Sequence, residues 1–186
     1  SNSVSYYAIT RSADDTMSAG DTIYYVVTAY DQFGNTVTNN ETVNINAVGS
    51  LTAEISPGPY SFSNSDTVAF WVRDTTRGSF TVRVNHQSDP TLSVQSGLVS
   101  VISDTNSLGI TKVSGDTTGI TAGSTQSLRV RISDSFDNPL SGDNIRFIVR
   151  SGDGSVSGLD SVDVVTDATG IAQTTLTTGT VVDTNL

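Results

Sequence analysis

The most constraining feature of this sequence is a strict alternation of apolar and polar residues over short stretches. In the stretch SLRVRIS, the side chains of Leu128, Val130 and Ile132 alternate with two arginines. Successive side chains of a β-strand point to opposite faces, so the pattern predicts an antiparallel strand with one buried face and one solvated face. Strands of this kind must pair into sheets and enclose a core between two layers.

Comparable stretches recur along the chain, and no helical pattern lies between them. Examples are TIYYVVTAY, TVAFWVRD and SFTVRVN in the first half, and NIRFIV and IAQTTLTT in the second. Strong helix formers are scarce, because the chain has one Lys, two Glu and one Met, whereas Thr, Ser, Val and Gly are abundant. About seven short strands in each half predict an all-β protein made of two tandem immunoglobulin-like β-sandwiches.

The chain also contains an internal repeat, in which residues 18–37 align with residues 121–140 at an offset of 103. Identical positions include Ala19, Gly20, Asp31, Phe33 and Asn35, which match Ala122, Gly123, Asp134, Phe136 and Asn138. Further along, TVAFWVRDTTRGSFTVRV aligns with SVDVVTDATGIAQTTL after a small gap. We therefore predict two copies of one module, residues 1–103 and 104–186, which meet at the polar stretch SDTNSLG.

The second copy resembles a known family over residues 110–186. It has an Ala-Gly start, the corner DSFDNPLSG, the strand IRFIVRSG, and TDATGIA before a Thr-rich strand. This set resembles a bacterial Ig-like domain of group 1, the invasin and intimin type, and residues 1–103 are a looser relative that keeps DQFGN. The resemblance implies an extracellular rod of stacked sandwiches on a bacterial surface or secreted protein, without catalytic residues. It also implies that the second domain lacks its last strand.

Charge restricts the partners that this chain can have. The formal net charge is −10, so the chain lacks the cationic surface that nucleic acid or an anionic membrane requires. No apolar stretch approaches the roughly 20 residues that cross a bilayer. We expect neighbouring domains of the same polypeptide as partners, with a glycan or a cell-surface protein as a further partner.

The corner DSFDNPLSGD allows two interpretations. In the first, Asp134 and Asn138 bond to nearby backbone and Phe136 closes the end of the core. In the second, Asp134, Asp137, Asn138 and Asp143 offer the oxygen ligands that Ca²⁺ prefers. Phe136 occupies a position that is acidic or an amide in the EF-hand loop, so the spacing favours the structural corner. We expect no cofactor, with calcium as the alternative.

Nothing in the sequence indicates an enzyme. The only histidine, His86, lies in RVNHQSDP, a polar turn between two stretches of strand pattern. The chain has no G-x-S-x-G elbow, phosphate-binding glycine loop or H-E-x-x-H motif. The expected function is therefore a non-catalytic spacer or stalk within a larger protein.

Aromatic residues suggest an alternative function for the first copy. All six Tyr, the single Trp and four of six Phe lie in residues 1–103. The alternation places Tyr24, Tyr30, Trp71 and Arg73 on the outer face of their strands. These side chains could bind a carbohydrate or a protein. In the other interpretation, the loop SPGPYSFSN or a neighbouring domain covers them.

Overall fold

The computed structural model describes residues 3–115 and 119–180, and within these ranges every regular element is a β-strand. The chain divides into two compact units, unit 1 (Ser1–Asp104) and unit 2 (Thr105–Leu186). The strands of unit 1 are β1 Tyr6–Arg11, β2 Thr16–Ser18, β3 Thr22–Tyr30, β4 Thr42–Val48, β5 Glu54–Ile55, β6 Tyr60–Ser61, β7 Thr67–Arg73, β8 Gly78–His86, β9 Ser93–Gln95 and β10 Val99–Ile102. The strands of unit 2 are β11 Gly109–Ser114, β12 Thr125–Ser133, β13 Asn144–Ile148, β14 Ser155–Val156, β15 Ser161–Val165 and β16 Ile171–Thr177. The described residues form no helix that is long and apolar enough to cross a membrane.

Unit 1 is a two-sheet sandwich. Its first sheet has the strand order β1-β3-β7-β5, and the second has the order β2-β10-β8-β4-β6 with β9 beside β8. Apolar side chains from both sheets pack into one continuous core, as the two-layer prediction requires. The all-β fold and the immunoglobulin-like sandwich predicted from the alternation are thus confirmed.

The alternation also predicted correctly which side of each strand is buried in unit 1. On β3 the inward residues Tyr25, Val27 and Ala29 are fully buried. On β7 the core positions are Val68, Phe70 and Val72, which are buried as well. The residues between them on both strands lie on the outer face of the first sheet.

Unit 2 repeats the first sheet of unit 1 in the same register. Its order is β11-β12-β16-β14, and Ser127 pairs with Thr175 as Tyr24 pairs with Trp71. Strand β16 therefore corresponds to β7, and β15, which pairs with β13, corresponds to β6, which pairs with β4. The alignment of TVAFWVRD with SVDVVTDA was wrong, because alternation looks the same in every strand and only the pairing partner identifies a strand.

The second sheet of unit 2 is much smaller than that of unit 1. Between residues 119 and 180 the chain supplies only β13 and β15 to it, and no described strand corresponds to β8 or β10. The sequence implied one missing strand, whereas the described part of unit 2 lacks the counterparts of two core strands.

The inner side of unit 2 is consequently open. Ile120, Ala122 and Leu176 line an open cavity of about 340 Å³. Their counterparts in unit 1 are Met17, Ala19 and Val72, all of which are buried. In unit 1 the fully buried apolar side chains of β8 and β10 cover the corresponding region of the core. For the same reason Leu128 and Val130 are only half-buried, while Ile132 is buried as predicted.

Candidate functional site

The corner DSFDNPLSGD of unit 2 is held in place by hydrogen bonds among its own residues. Asp134 is buried, and its Oδ1 accepts the backbone N–H of Phe136 at 2.9 Å and that of Asn138 at 2.8 Å. Its Oδ2 accepts the side-chain amide of Asn138 at 2.9 Å. The backbone N–H of Asp134 in turn donates to the carbonyl of Asn138. The carboxylate therefore satisfies backbone donors that would otherwise be buried without partners.

The corner of unit 1 has the same construction. Oδ1 of Asp31 accepts the backbone N–H groups of Phe33 and Asn35 at 2.8 and 2.9 Å. The amide of Asn35 donates to Oδ2 at 3.1 Å, and hydrogen bonds from Asn35 hold the pKa of Asp31 below its ordinary value. Because two copies share the arrangement, a common folding requirement explains the shared residues.

The expected role of Phe136 as a core plug is wrong. Its side chain is 38% exposed, and Phe33, its counterpart in unit 1, is 79% exposed. The backbone of each phenylalanine donates to the aspartate two residues earlier, and the ring faces outward from that turn. The buried residue beyond the unit 1 corner is instead Val37, whose N–H donates to Ala29.

The structure places the four calcium candidates in different bonding environments. Asp134 and Asn138 bond to each other, whereas Asp137 pairs with Arg131. The backbone N–H of Asp143 donates to Thr166 Oγ1 at 2.9 Å. No group of three His, Cys, Asp or Glu side chains suited to a metal ion occurs in the described ranges. Calcium binding at this corner stays a prediction.

The single histidine is part of a turn. His86 ends β8, and its Nδ1 accepts the backbone N–H groups of Ser88 and Asp89 at 3.2 and 2.9 Å. Its Nε2 lies 3.6 Å from Oε2 of Glu41. Both ring nitrogens thus face groups that stabilise the end of the strand, which is the structural role that the sequence favoured.

Two of the aromatic candidates meet on the outer face of the first sheet of unit 1. Tyr24 and Trp71 are cross-strand partners on β3 and β7. Together with Val26, Ala69 and Ser56 they line a shallow depression of about 360 Å³. Tyr24 is 60% exposed and Trp71 is partly exposed. The loop SPGPYSFSN therefore leaves this pair accessible within unit 1.

The other two candidates lie apart from that depression. Tyr30 is at the far end of β3, where its ring stacks on Tyr6 with centroids 5.1 Å apart. Arg73 donates from Nε to the carbonyl of Gly20 at 3.0 Å and pairs across strands with Glu54. Sequence reasoning missed Tyr6, although its place one residue before the buried Tyr7 indicates an outward side chain.

A second feature that sequence reasoning missed is a parallel strand pair. Strand β2 runs parallel to β10, the last strand of unit 1, with Met17 opposite Val101. At the two ends of the pair, the N–H of Ser100 donates to Asp15 at 2.7 Å, and the N–H of Ala19 donates to Ile102 at 2.8 Å. A local sequence pattern cannot predict the pairing of two strands that are this far apart in the chain.

Several aspartates in turns and on strand β15 make the fold sensitive to acid. The side chain of Thr169 lowers the pKa of Asp167, the side chain of Thr91 lowers the pKa of Asp89, and Arg146 lowers the pKa of Asp163. A carboxyl whose pKa is lowered by folding takes up its proton more readily in the unfolded chain. Its contribution to stability is therefore complete above the ordinary value of 3.8 and is lost as the pH falls through the folded pKa.

We predict that the free energy of unfolding of each unit is constant between about pH 7 and pH 5 and falls steeply below about pH 4. Urea denaturation at a series of pH values measures it. The Asp167→Asn variant keeps an acceptor oxygen but does not titrate, so its curve is expected to fall less steeply than that of the wild type. Identical slopes for the two proteins would contradict a contribution of Asp167.

The strand order defines a tandem immunoglobulin-like β-sandwich protein. No family model matches the chain, and no curated protein matches it. Among solved structures it is similar to the Escherichia coli adhesin FdeC, with 18% identity and a TM-score of 0.48 over 97% of this chain and 57% of that one. The chain thus spans little more than half of that adhesin structure.

The chain is also similar to two further solved structures. The D0-D1 domain of intimin has 20% identity and a TM-score of 0.42, over 96% of this chain and 86% of that one. Domains 4 and 5 of the S-layer protein SbsC have 21% identity and a TM-score of 0.42, over 55% of this chain and 48% of that one. These similarities concern the fold alone.

Proposed function

We propose that this chain is a non-catalytic spacer that resists tension within a larger bacterial surface or secreted protein. The parallel pairing of β2 with β10 is the observation that supports this role. Strand β2 lies near the start of unit 1, and β10 is its last strand. Strand β1 precedes β2 and pairs with β3, so a pull on the two ends of unit 1 reaches β2 once β1 has separated from β3. The pull then acts in opposite directions on two strands that lie side by side.

Strand direction decides how such a pull is resisted. In a parallel pair the pull shears the strands lengthwise, so that all hydrogen bonds between them are loaded together. In an antiparallel hairpin that is pulled from its open end, the bonds break one after another. Forced unfolding is governed by the unfolding rate, and shared loading raises its barrier.

The acidic corners agree with a structural role. In Asp31 and in Asp134, both carboxylate oxygens accept hydrogen bonds within the turn. The resemblance of residues 110–186 to invasin-type modules supports a cell-surface or extracellular location with neighbouring domains of the same polypeptide as partners. The absence of enzymatic activity remains part of this proposal.

Single-molecule stretching of the 186-residue chain tests the proposal. Unit 2 is a built-in control, because all strand pairs in its described residues are antiparallel. We expect one rupture at high force, with the longer chain extension of unit 1, and one rupture at clearly lower force from unit 2. Equal rupture forces for the two units would contradict the proposal.

A variant pair isolates the parallel strands. Ser100→Pro removes the N–H that donates to Asp15, whereas Ser100→Ala keeps it. The proline variant is expected to lower the rupture force of unit 1 only, and the alanine variant is expected to leave it unchanged. If both variants rupture at the wild-type force, β2 and β10 do not bear the load.

A further inference from the structure

We propose that the outer face of the sheet β1-β3-β7-β5 in unit 1 binds an uncharged, linear glycan, with Trp71 and Tyr24 as its main platform. This binding function goes beyond the spacer role and does not depend on it. The two rings are cross-strand partners beside a shallow depression of about 360 Å³. Aromatic faces of this kind offer apolar stacking surface together with a polar edge.

A second aromatic pair lies at the other end of the same face. Tyr6 and Tyr30 stack with an interplanar angle of 9°, and Tyr6 is 45% exposed. Tyr30 follows Tyr24 by six residues on one strand. At ~3.3 Å per residue the two pairs are roughly 20 Å apart. A ligand that contacts both must be extended, and a linear oligosaccharide meets that requirement.

The surface between the two aromatic pairs is small, uncharged and rich in hydroxyl groups. Its outward positions on β1, β3 and β7 are Ala8, Thr10, Val26, Thr28, Thr67 and Ala69. The threonine hydroxyls can donate and accept hydrogen bonds, as sugar hydroxyls do. Because these side chains are small, the surface is recessed between the two aromatic pairs, and a linear molecule can lie along it.

The charge distribution selects a neutral occupant. The protein carries a net charge of −10, yet none of the outward positions between the two aromatic pairs carries a charge. At one end of the face, Arg73 is opposite Glu54 across the strands, so two opposite charges adjoin there. The face therefore offers no attraction to an anionic or cationic ligand, and the acidic surroundings disfavour anionic glycans.

The charge pattern also favours a glycan over a protein partner. The centres of protein interfaces are enriched in arginine together with tyrosine and tryptophan, and this face has the aromatic residues without a free arginine at its centre. The only arginine at an outward position of β3 or β7 is Arg73, whose Nε already donates to the carbonyl of Gly20. Exposed aromatics flanked by hydroxyl groups match the apolar face and the polar rim of a sugar ring.

Trp71 is the only tryptophan of the chain, so its fluorescence reports directly on this site. The full chain is titrated with cellohexaose and hexa-N-acetylchitohexaose as neutral linear probes, and with an alginate hexasaccharide as an anionic probe. We expect saturable changes in Trp71 emission with a neutral probe and none with the anionic one. The proposal is overturned if neither neutral hexasaccharide binds, or if the anionic probe binds as well as the neutral ones.

Variants locate the bound glycan by calorimetric titration. Tyr24→Ala changes an exposed side chain, so it leaves the core intact, and it is expected to weaken binding about tenfold. Trp71→Ala is expected to weaken it at least as much, and Tyr6→Ala to weaken it only for probes that reach the second pair. Phe136→Ala removes an exposed aromatic from a corner of unit 2 and is the matched control with unchanged affinity. Wild-type affinity in Tyr24→Ala, or an equal loss in Phe136→Ala, overturns the proposal.

Discussion

Replacing Phe80 by alanine is expected to lower the free energy of unfolding of unit 1 by about 3–5 kcal/mol. Phe80 is fully buried on β8, a central strand of the second sheet, and it lies opposite Val99 of β10. Truncation removes apolar surface from the core and leaves a cavity that the strands on both sides cannot fill. An effect of this size is a large share of the stability of a domain of about 100 residues.

Phe33 provides a control with the same change of side chain. It belongs to the same unit but is 79% exposed, so Phe33→Ala is expected to change stability by no more than about 0.5 kcal/mol. Urea denaturation followed by Trp71 fluorescence measures both variants, because the only tryptophan lies in unit 1. Equal destabilisation by the two substitutions would mean that Phe80 is not part of the core described here.

The contrast between Phe80 and Phe33 shows what the sequence could and could not predict. Phe80 alternates with polar residues in SFTVRVN, and a period of two identifies a buried face without any tertiary information. Phe136 and Phe33 lie in turns, where no periodicity exists. The hydrogen bonds to Asp134 and Asp31 direct these rings outward, and that direction depends on backbone geometry rather than on hydrophobicity.

Strand pairing is the part of the fold that local pattern does not determine. The repeat at an offset of 103 identified β3 and β12 correctly, because the corner after each strand has a distinctive sequence. The later alignment failed because an alternating stretch followed by an aspartate and a glycine occurs at both β7 and β15, although these strands have different pairing partners. The pairing of β2 with β10 joins residues near the two ends of unit 1, which only the closed sandwich brings together.

The aromatic face was partly predictable, because alternation assigns each residue of a strand to one of the two faces of the sheet. Alternation placed Tyr24 and Trp71 on the outer side of their strands, and the structure shows both there. It could not show that they are direct cross-strand partners, or that Tyr30 lies beside Tyr6. Those facts depend on register, which in an antiparallel sheet is fixed by the whole pattern of buried residues.

The chain is expected to unfold in two steps, with unit 2 unfolding first. Among the described residues, unit 2 fully buries only Ile132, Val156 and Ala172 of its apolar side chains. Unit 1 buries a continuous core that includes Phe62, Phe80 and several valines. Each large apolar side chain contributes about 1.5–3 kcal/mol when buried, so the difference between the cores is large compared with the stability of one domain.

If the free energy of unfolding of unit 2 is lower than that of unit 1 by about 3 kcal/mol, unit 2 has a midpoint of thermal unfolding that is lower by roughly 12–24 °C. Calorimetry is therefore expected to show two peaks, whereas Trp71 fluorescence changes only at the upper one. Leu128→Ala is expected to move only the lower peak, and Phe80→Ala only the upper peak. A single transition at one temperature by both methods would mean that the two units unfold together, and that the open side of unit 2 does not weaken it.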